Sequence, residues 1–199
     1  AEKPPHLLVM TATPIPRTLA LSYFGDMDVS DLKEKPPGRR PIDTRAVSLE
    51  RLDEMVEGVG RALAAGRQAY WICPLVSDSE TTDLAAAEDR HEDLARIFGA
   101  DRVGLVHGKM KGPAKDAAMA AFQDGRTRLL VATTVVEVGV DVPNASIMII
   151  EHAERFGLAQ LHQLRGRVGR GAEASTCILL YRGPLSASGE ARLNILRET

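Results

Sequence analysis

With 199 residues, 44% of them apolar and 26% charged, and a formal net charge of −2, the chain has room for one domain with a sizeable core, or for one domain plus a piece of another. The near-neutral balance excludes a generally basic surface that holds nucleic acid by charge alone, so any such binding is local. An aromatic content of 4% likewise excludes a broad platform of stacked bases.

In chain order, HLLVM at 6–10 predicts a first strand. It runs into VMTATPIPR, where Thr11, Ala12 and Thr13 follow the apolar run and proline opens the next segment. The hydroxyls of Thr11 and Thr13 are placed to bond across a domain gap, and the alternative is a plain strand end before a helix with proline in its first turn. The stretch KEKPPGRRP at 33–41 holds three prolines, a glycine and four basic residues, so it reads as a linker. One strand and one helix are too little for a core, and residues 1–41 are therefore expected to be the end of a preceding domain plus its linker.

From residue 42 onward, strands are expected near 45–49, 68–73, 102–107, 127–133, 145–150 and 176–181, with helices at 50–65, 83–98 and 113–123. In the first helix Leu52, Met55, Val56, Val59 and Leu63 fall on one face, and Pro113 opens the third. Such alternation predicts an α/β fold, a parallel sheet with helices on both faces, over 42–185. Residues 186–199 are expected to begin a following helical segment. Cys73 and Cys177 sit in apolar runs without metal-ligand spacing and read as buried reduced thiols, and no metal site is expected. No apolar stretch approaches the roughly 18 residues of a membrane helix, and AEKPPHLLVM lacks a signal arrangement, so a cytoplasmic location away from membrane is expected.

Three stretches carry candidate chemistry. GLVHGKMK at 104–111 places His107, Gly108 and Lys109 between a strand and a helix N-terminus, a position that can grip one phosphate; solvated lysines and a satisfied strand-end histidine are the alternatives. LLVATTVVEVGVDVPNAS at 129–146 follows a buried strand with polar groups, and ligands of parallel sheets lie at the carboxyl ends of strands. Thr133 is suited to a nucleic-acid phosphate and Asp141 to a ribose hydroxyl, whereas turn capping explains the acids equally well.

The third stretch, QLHQLRGRVGRG at 160–171, crowds Arg165, Arg167 and Arg170 among glycines. Arginine forks match phosphate oxygens, and glycine lets the backbone approach a ligand. Arg167 and Arg170 stand three apart, so on a helix both heads face one side. Three such cations repel one another unless an anion lies between them, although a surface loop with arginines paired to acids is the alternative. The pattern G-x-x-x-x-G-K-[ST] does not occur, so these arginines are expected to serve a phosphate held by something else.

Taken in order, TATPIPRTLAL, QAYWICPLV, VGLVHGKMK, VATTVVEVGVDVP and GLAQLHQLRGRVGRG resemble the later motifs of the superfamily 2 helicases over nearly the whole chain. Within that superfamily the likeness is nearest to the helicases that migrate DNA branches, and PPGRRPI, GRQAYWICPL and EVGVDVPNAS favour them over the transcription-repair coupling translocases. The resemblance implies two RecA-like lobes, of which residues 42–185 are the second. ATP with Mg2+ is then held mainly by a first lobe that carries the phosphate loop and the Asp-Glu motif, and DNA crosses both lobes.

By the same resemblance Arg167 and Arg170 are fingers toward that ATP, and Gln163 lies near the γ-phosphate or attacking water. Gly139 and Asp141 touch the ribose. Thr133, His107, Gly108 and Lys109 hold the DNA backbone, and Thr11, Ala12 and Thr13 couple hydrolysis to movement. The implied partners are branched or forked DNA and the first lobe and wedge domain of the same chain. The fragment by itself is expected to be inactive, and a free-standing binding module is the other class that fits.

Overall fold

The computed structural model describes residues 41–75, 80–133, 142, 144–169, 171 and 173–199, together with Leu8 and Ser30. Two compact units divide the chain, Ala1–Pro37 and Gly38–Thr199. The expected first strand, apart from Leu8, and Thr11, Ala12 and Thr13 lie outside the described residues.

The second unit is built on six strands: β1 (Ile42–Ser48), β2 (Gln68–Ile72), β3 (Val103–Val106), β4 (Leu129–Ala132), β5 (Ala145–Ile150) and β6 (Ser175–Tyr181). They form one sheet in the order β1-β6-β5-β2-β4-β3, and every pairing is parallel. Every residue of β2, β4 and β5 is buried. That is why these strands read as unbroken apolar runs, since a parallel sheet is covered on both faces.

Side chains alternate between two cores, as the two-residue period of a strand requires. Tyr70, Ile72, Leu130, Ala132, Met148 and Ile150 enter one core, and Ala69, Trp71, Leu129, Val131, Ile147 and Ile149 enter the other. Helices α1 (Leu52–Ala64) and α2 (Glu80–Phe98) cover the second face with Met55, Val56, Val59, Leu63, Ala87 and Leu94. Helices α3 (Gly112–Gln123), α4 (Leu158–Arg165) and α5 (Ala187–Glu198) cover the first with Met119, Phe122, Leu161, Leu164, Leu193 and Leu196. Crossovers running toward β3 thus use one face and those running back toward β1 use the other, which right-handed connections demand.

The six strands expected from residue 42 onward are present, that at 145–150 with both ends as expected and the others with ends within three residues. Helix α5 packs Leu193 and Leu196 into the first core, so this helical stretch shares the packing of the sheet rather than standing apart from it. Cys73 and Cys177 are buried free thiols, and burial pushes the Cys177 thiol up to about 12. No described helix is long and apolar enough to cross a membrane.

Candidate functional site

The candidate residues divide between the two ends of the sheet. At the carboxyl end, Thr133 follows the last residue of β4 and His107 follows the last residue of β3, and these two strands are paired. Thr133 is 1% exposed, yet its Oγ1 has no hydrogen-bond partner among the described residues, and neither does the buried Nδ1 of His107. Buried polar atoms are normally paired, because an unmet donor or acceptor costs about 1–3 kcal/mol. Two such atoms stand on neighbouring strand ends, at the positions of two candidate residues. Gly108 and Lys109 form the exposed turn that follows, closed by the Met110 N–H donating to the His107 carbonyl at 3.1 Å. Beyond it α3 starts with proline in its first turn and no side-chain cap, and the Ala114 and Lys115 N–H groups both donate to the Lys111 carbonyl, at 3.0 and 3.1 Å.

A second feature of the carboxyl end carried no signal in the sequence. Glu151, directly after β5 and 7% exposed, accepts from the Trp71 indole N–H at 2.8 Å and from Arg90 of α2 through Nε at 2.9 Å and Nη2 at 2.6 Å. The Arg90 guanidinium also lies 5.6 Å from the centre of the Trp71 ring, within cation–π range. Burial by itself raises the Glu151 pKa, but the bonds from Arg90 and Trp71 outweigh it and hold the carboxyl below its ordinary value. Two residues away on the same helix, Glu88 Oε1 lies 3.7 Å from His107 Nε2. Helix α2 thus braces the end of β5 through Arg90 and brings Glu88 near His107.

The other group stands at the amino end. Helix α4 stops at Arg165, and Gly166 is its C-cap. Helical spacing therefore does not set the geometry of Arg167 and Arg170: Arg167 lies in the turn past the helix, and Arg170 lies outside the described residues. Gly169 has φ +80, and a Cβ there would meet Ile42 Cγ1 at 3.1 Å. Only glycine meets both conditions. Ile42 and Ser175 are the paired first residues of β1 and β6, so this contact seats the arginine turn at the amino end of the sheet. Buried Val168 anchors it from the core side.

Arg165 does not share an anion with its neighbours, as the clustering of the three arginines implied. It turns into α5, donating from Nη1 to the Leu196 carbonyl at 2.7 Å and from Nη2 to Thr199 Oγ1 at 3.2 Å. Repulsion is relieved by using one arginine as a cap on a helix C-terminus. Arg167, in contrast, has no side-chain partner among the described residues, and Gln163 is exposed on α4.

Gly139 and Asp141 lie outside the described residues, but the chain that follows them is at the amino end. The Asn144 amide donates to the Gly66 carbonyl and to Gln68 Oε1, each at 3.2 Å, beside the first residue of β2. The expectation that the polar groups of 129–146 gather at the carboxyl ends of strands thus holds for Thr133 alone among those described, since by Asn144 the chain has crossed the length of the sheet. At about 3.3 Å per residue the two ends are on the order of 20 Å apart.

Such a sheet with helices on both faces is a RecA-like lobe of the helicase type. Residues 49–172 match the helicase conserved C-terminal domain, and the chain belongs to that family. It is 57% identical over 195 residues to the ATP-dependent DNA helicase RecG of Acidithiobacillus ferridurans, covering 98% of this chain and 28% of that protein. It is 56% identical over 196 residues to RecG of Escherichia coli strain K12, with the same coverage of 98% and 28%. The chain therefore spans little more than a quarter of these relatives.

Among solved structures, RecG bound to a three-way DNA junction aligns with a TM-score of 0.77 and 43% identity, covering 94% of this chain and 24% of that one. Saccharomyces cerevisiae Dbp5 bound to RNA and ADP BeF3 aligns with a TM-score of 0.68 at 16% identity, covering 94% and 47%, a likeness of fold alone.

Proposed function

We propose that this chain is the second motor lobe of an ATP-dependent helicase and translocase on double-stranded DNA, one that remodels branched DNA in recombination and repair in the cytoplasm. The lobe begins at residue 42, and residues 1–41 end the first lobe and link the two. The observation that carries this proposal is Arg167: a guanidinium without a partner among the described residues, on a turn fixed at the amino end of the sheet. Its forked donors fit a terminal phosphate that another lobe holds.

Bound ATP with Mg2+ supplies the phosphoanhydride cleavage that drives movement. On this lobe Arg167 and Arg170 meet the charge that develops as the phosphoryl group departs, Gln163 orients the water, and Gly139 and Asp141 hold the ribose. Transfer of the γ-phosphoryl group to water and departure of the inorganic phosphate would release the arginines, so the lobe is bound in one state and free in the other, the differential contact that a two-state cycle needs. At the opposite end Thr133, His107, Gly108 and Lys109 grip the DNA backbone, which favours strand geometry over base sequence. Thr11, Ala12 and Thr13 link the two events. The relatives' names and the RecG structure on a three-way junction support branched or forked DNA as the partner, acting with the first lobe and wedge domain of the same chain.

The test is ATP hydrolysis by residues 1–199 beside the full-length protein on forked DNA. The lobe turns over a negligible amount and the full-length protein is stimulated by the fork. Substantial DNA-stimulated turnover by the 199 residues contradicts the proposal.

A further inference from the structure

Arg67 lies on the short turn between α1 and β2. That turn is a Schellman closure, with the Gly66 N–H donating to the Leu63 carbonyl at 3.0 Å and the Arg67 N–H to the Ala62 carbonyl at 3.1 Å. Gly66 takes φ +89, as the left-handed position of this motif requires. The closure turns Arg67 onto the amino end of the sheet. There its Nε–H donates to Ser146 Oγ at 2.8 Å and its Nη2–H to the Ala174 carbonyl at 2.6 Å.

Those two acceptors are far apart in sequence, and each ends a stretch with a nucleotide-side candidate. Ser146 closes the segment with Gly139 and Asp141, and Ala174 closes the segment with Arg167 and Arg170. Both re-enter the sheet here. Gln68 pairs with Ala145 while Ala69 pairs with Ile147, so Ser146 is skipped. A bulge of this kind re-aims the chain and commonly stands beside functional sites.

Gln68 secures the same point from below. Its Nε2 donates to the Phe122 carbonyl at 2.6 Å and the Thr127 carbonyl at 3.1 Å, while its Oε1 receives Asn144. Neither acceptor of Arg67 is a carboxylate, so the guanidinium contributes directed geometry rather than charge neutralisation. Lysine has no planar fork with which to span both.

We infer that Arg67 is a positioning residue for ATP hydrolysis, fixing Ser146 at the start of β5 and Ala174 before β6, and with it the arginine turn, relative to each other. This inference rests on the proposed motor function. It predicts that kcat falls when the bridge is cut while KM for ATP and DNA affinity stay nearly constant, because the bridge touches neither ligand.

The experiment is a double-mutant cycle in the full-length protein with Arg67→Ala and Arg167→Ala, reading DNA-stimulated ATP hydrolysis on forked DNA. Arg67→Ala lowers kcat roughly tenfold, corresponding to about 1.4 kcal/mol, and adds less than about twofold when Arg167 is already alanine, since coupled residues are non-additive. Ser146→Ala removes one acceptor without disturbing the turn and lowers kcat in the same direction, which keeps the test open if Arg67→Ala does not fold. Effects that multiply, or an unchanged kcat in both Arg67→Ala and Ser146→Ala, overturn the inference while leaving the motor function standing. An unaltered rate in Arg167→Ala instead overturns the motor assignment, and the inference falls with it.

Discussion

Thr133 poses the sharpest question at the residue scale, because a hydroxyl 1% exposed and without a partner among the described residues lowers stability. Isosteric replacement by valine removes the unmet group and keeps the volume. Thr133→Val therefore raises stability by about 1 kcal/mol, read as a shift of the urea midpoint. In the full-length protein it weakens DNA binding roughly tenfold, which corresponds to about 1.4 kcal/mol. A variant less stable than the parent, with unchanged DNA affinity, shows that the hydroxyl serves the fold. That a threonine directly follows a buried strand was legible in the sequence. That Arg165 differs from Arg167 was not, since the distinction arises from where α5 returns, thirty residues later.

At the scale of elements, the end of β5 is joined to α2 by the Arg90 and Glu151 pair, whose side chains are 20% and 10% exposed. Removing one partner of a buried pair leaves a charge without its counterion, so Arg90→Met or Glu151→Gln costs about 3 kcal/mol, measured by denaturant unfolding. The Glu151 pKa is lowered in the folded state from its ordinary value of 4.5. Its contribution is fully present above about pH 4.5 and is lost as pH falls through the lower folded value. Stability of the unaltered chain thus declines more steeply in that acid window than stability of Glu151→Gln, and equal slopes contradict the role given to the pair.

Nothing in the sequence announced this brace, because an acid after an apolar strand looks the same whether it meets solvent or a guanidinium sixty residues away. Helix α4 was equally hidden. Eight residues between two glycines are too few for a 3.6-residue period to stand out.

For the whole molecule, burial decided what could be read in advance. Strands β2, β4 and β5 are covered on both faces and so appear as uninterrupted apolar runs, while their ends depend on partner register, which no local pattern encodes. The division of the described candidate residues between two ends of the sheet was beyond the sequence for the same reason. Thr133 follows β4 and Asn144 precedes β5, so they stand at opposite ends of the sheet, on the order of 20 Å apart.

The proposed motor function rests on this separation, with one end of the sheet assigned to nucleotide and the other to DNA. The most direct measurement is DNA-stimulated ATP hydrolysis and fork affinity of the full-length protein with Arg167→Ala. The account predicts a loss in turnover of roughly 10³ with fork affinity within about threefold of the parent. Unchanged turnover together with weakened fork binding would contradict it, because Arg167 would then belong to the DNA side.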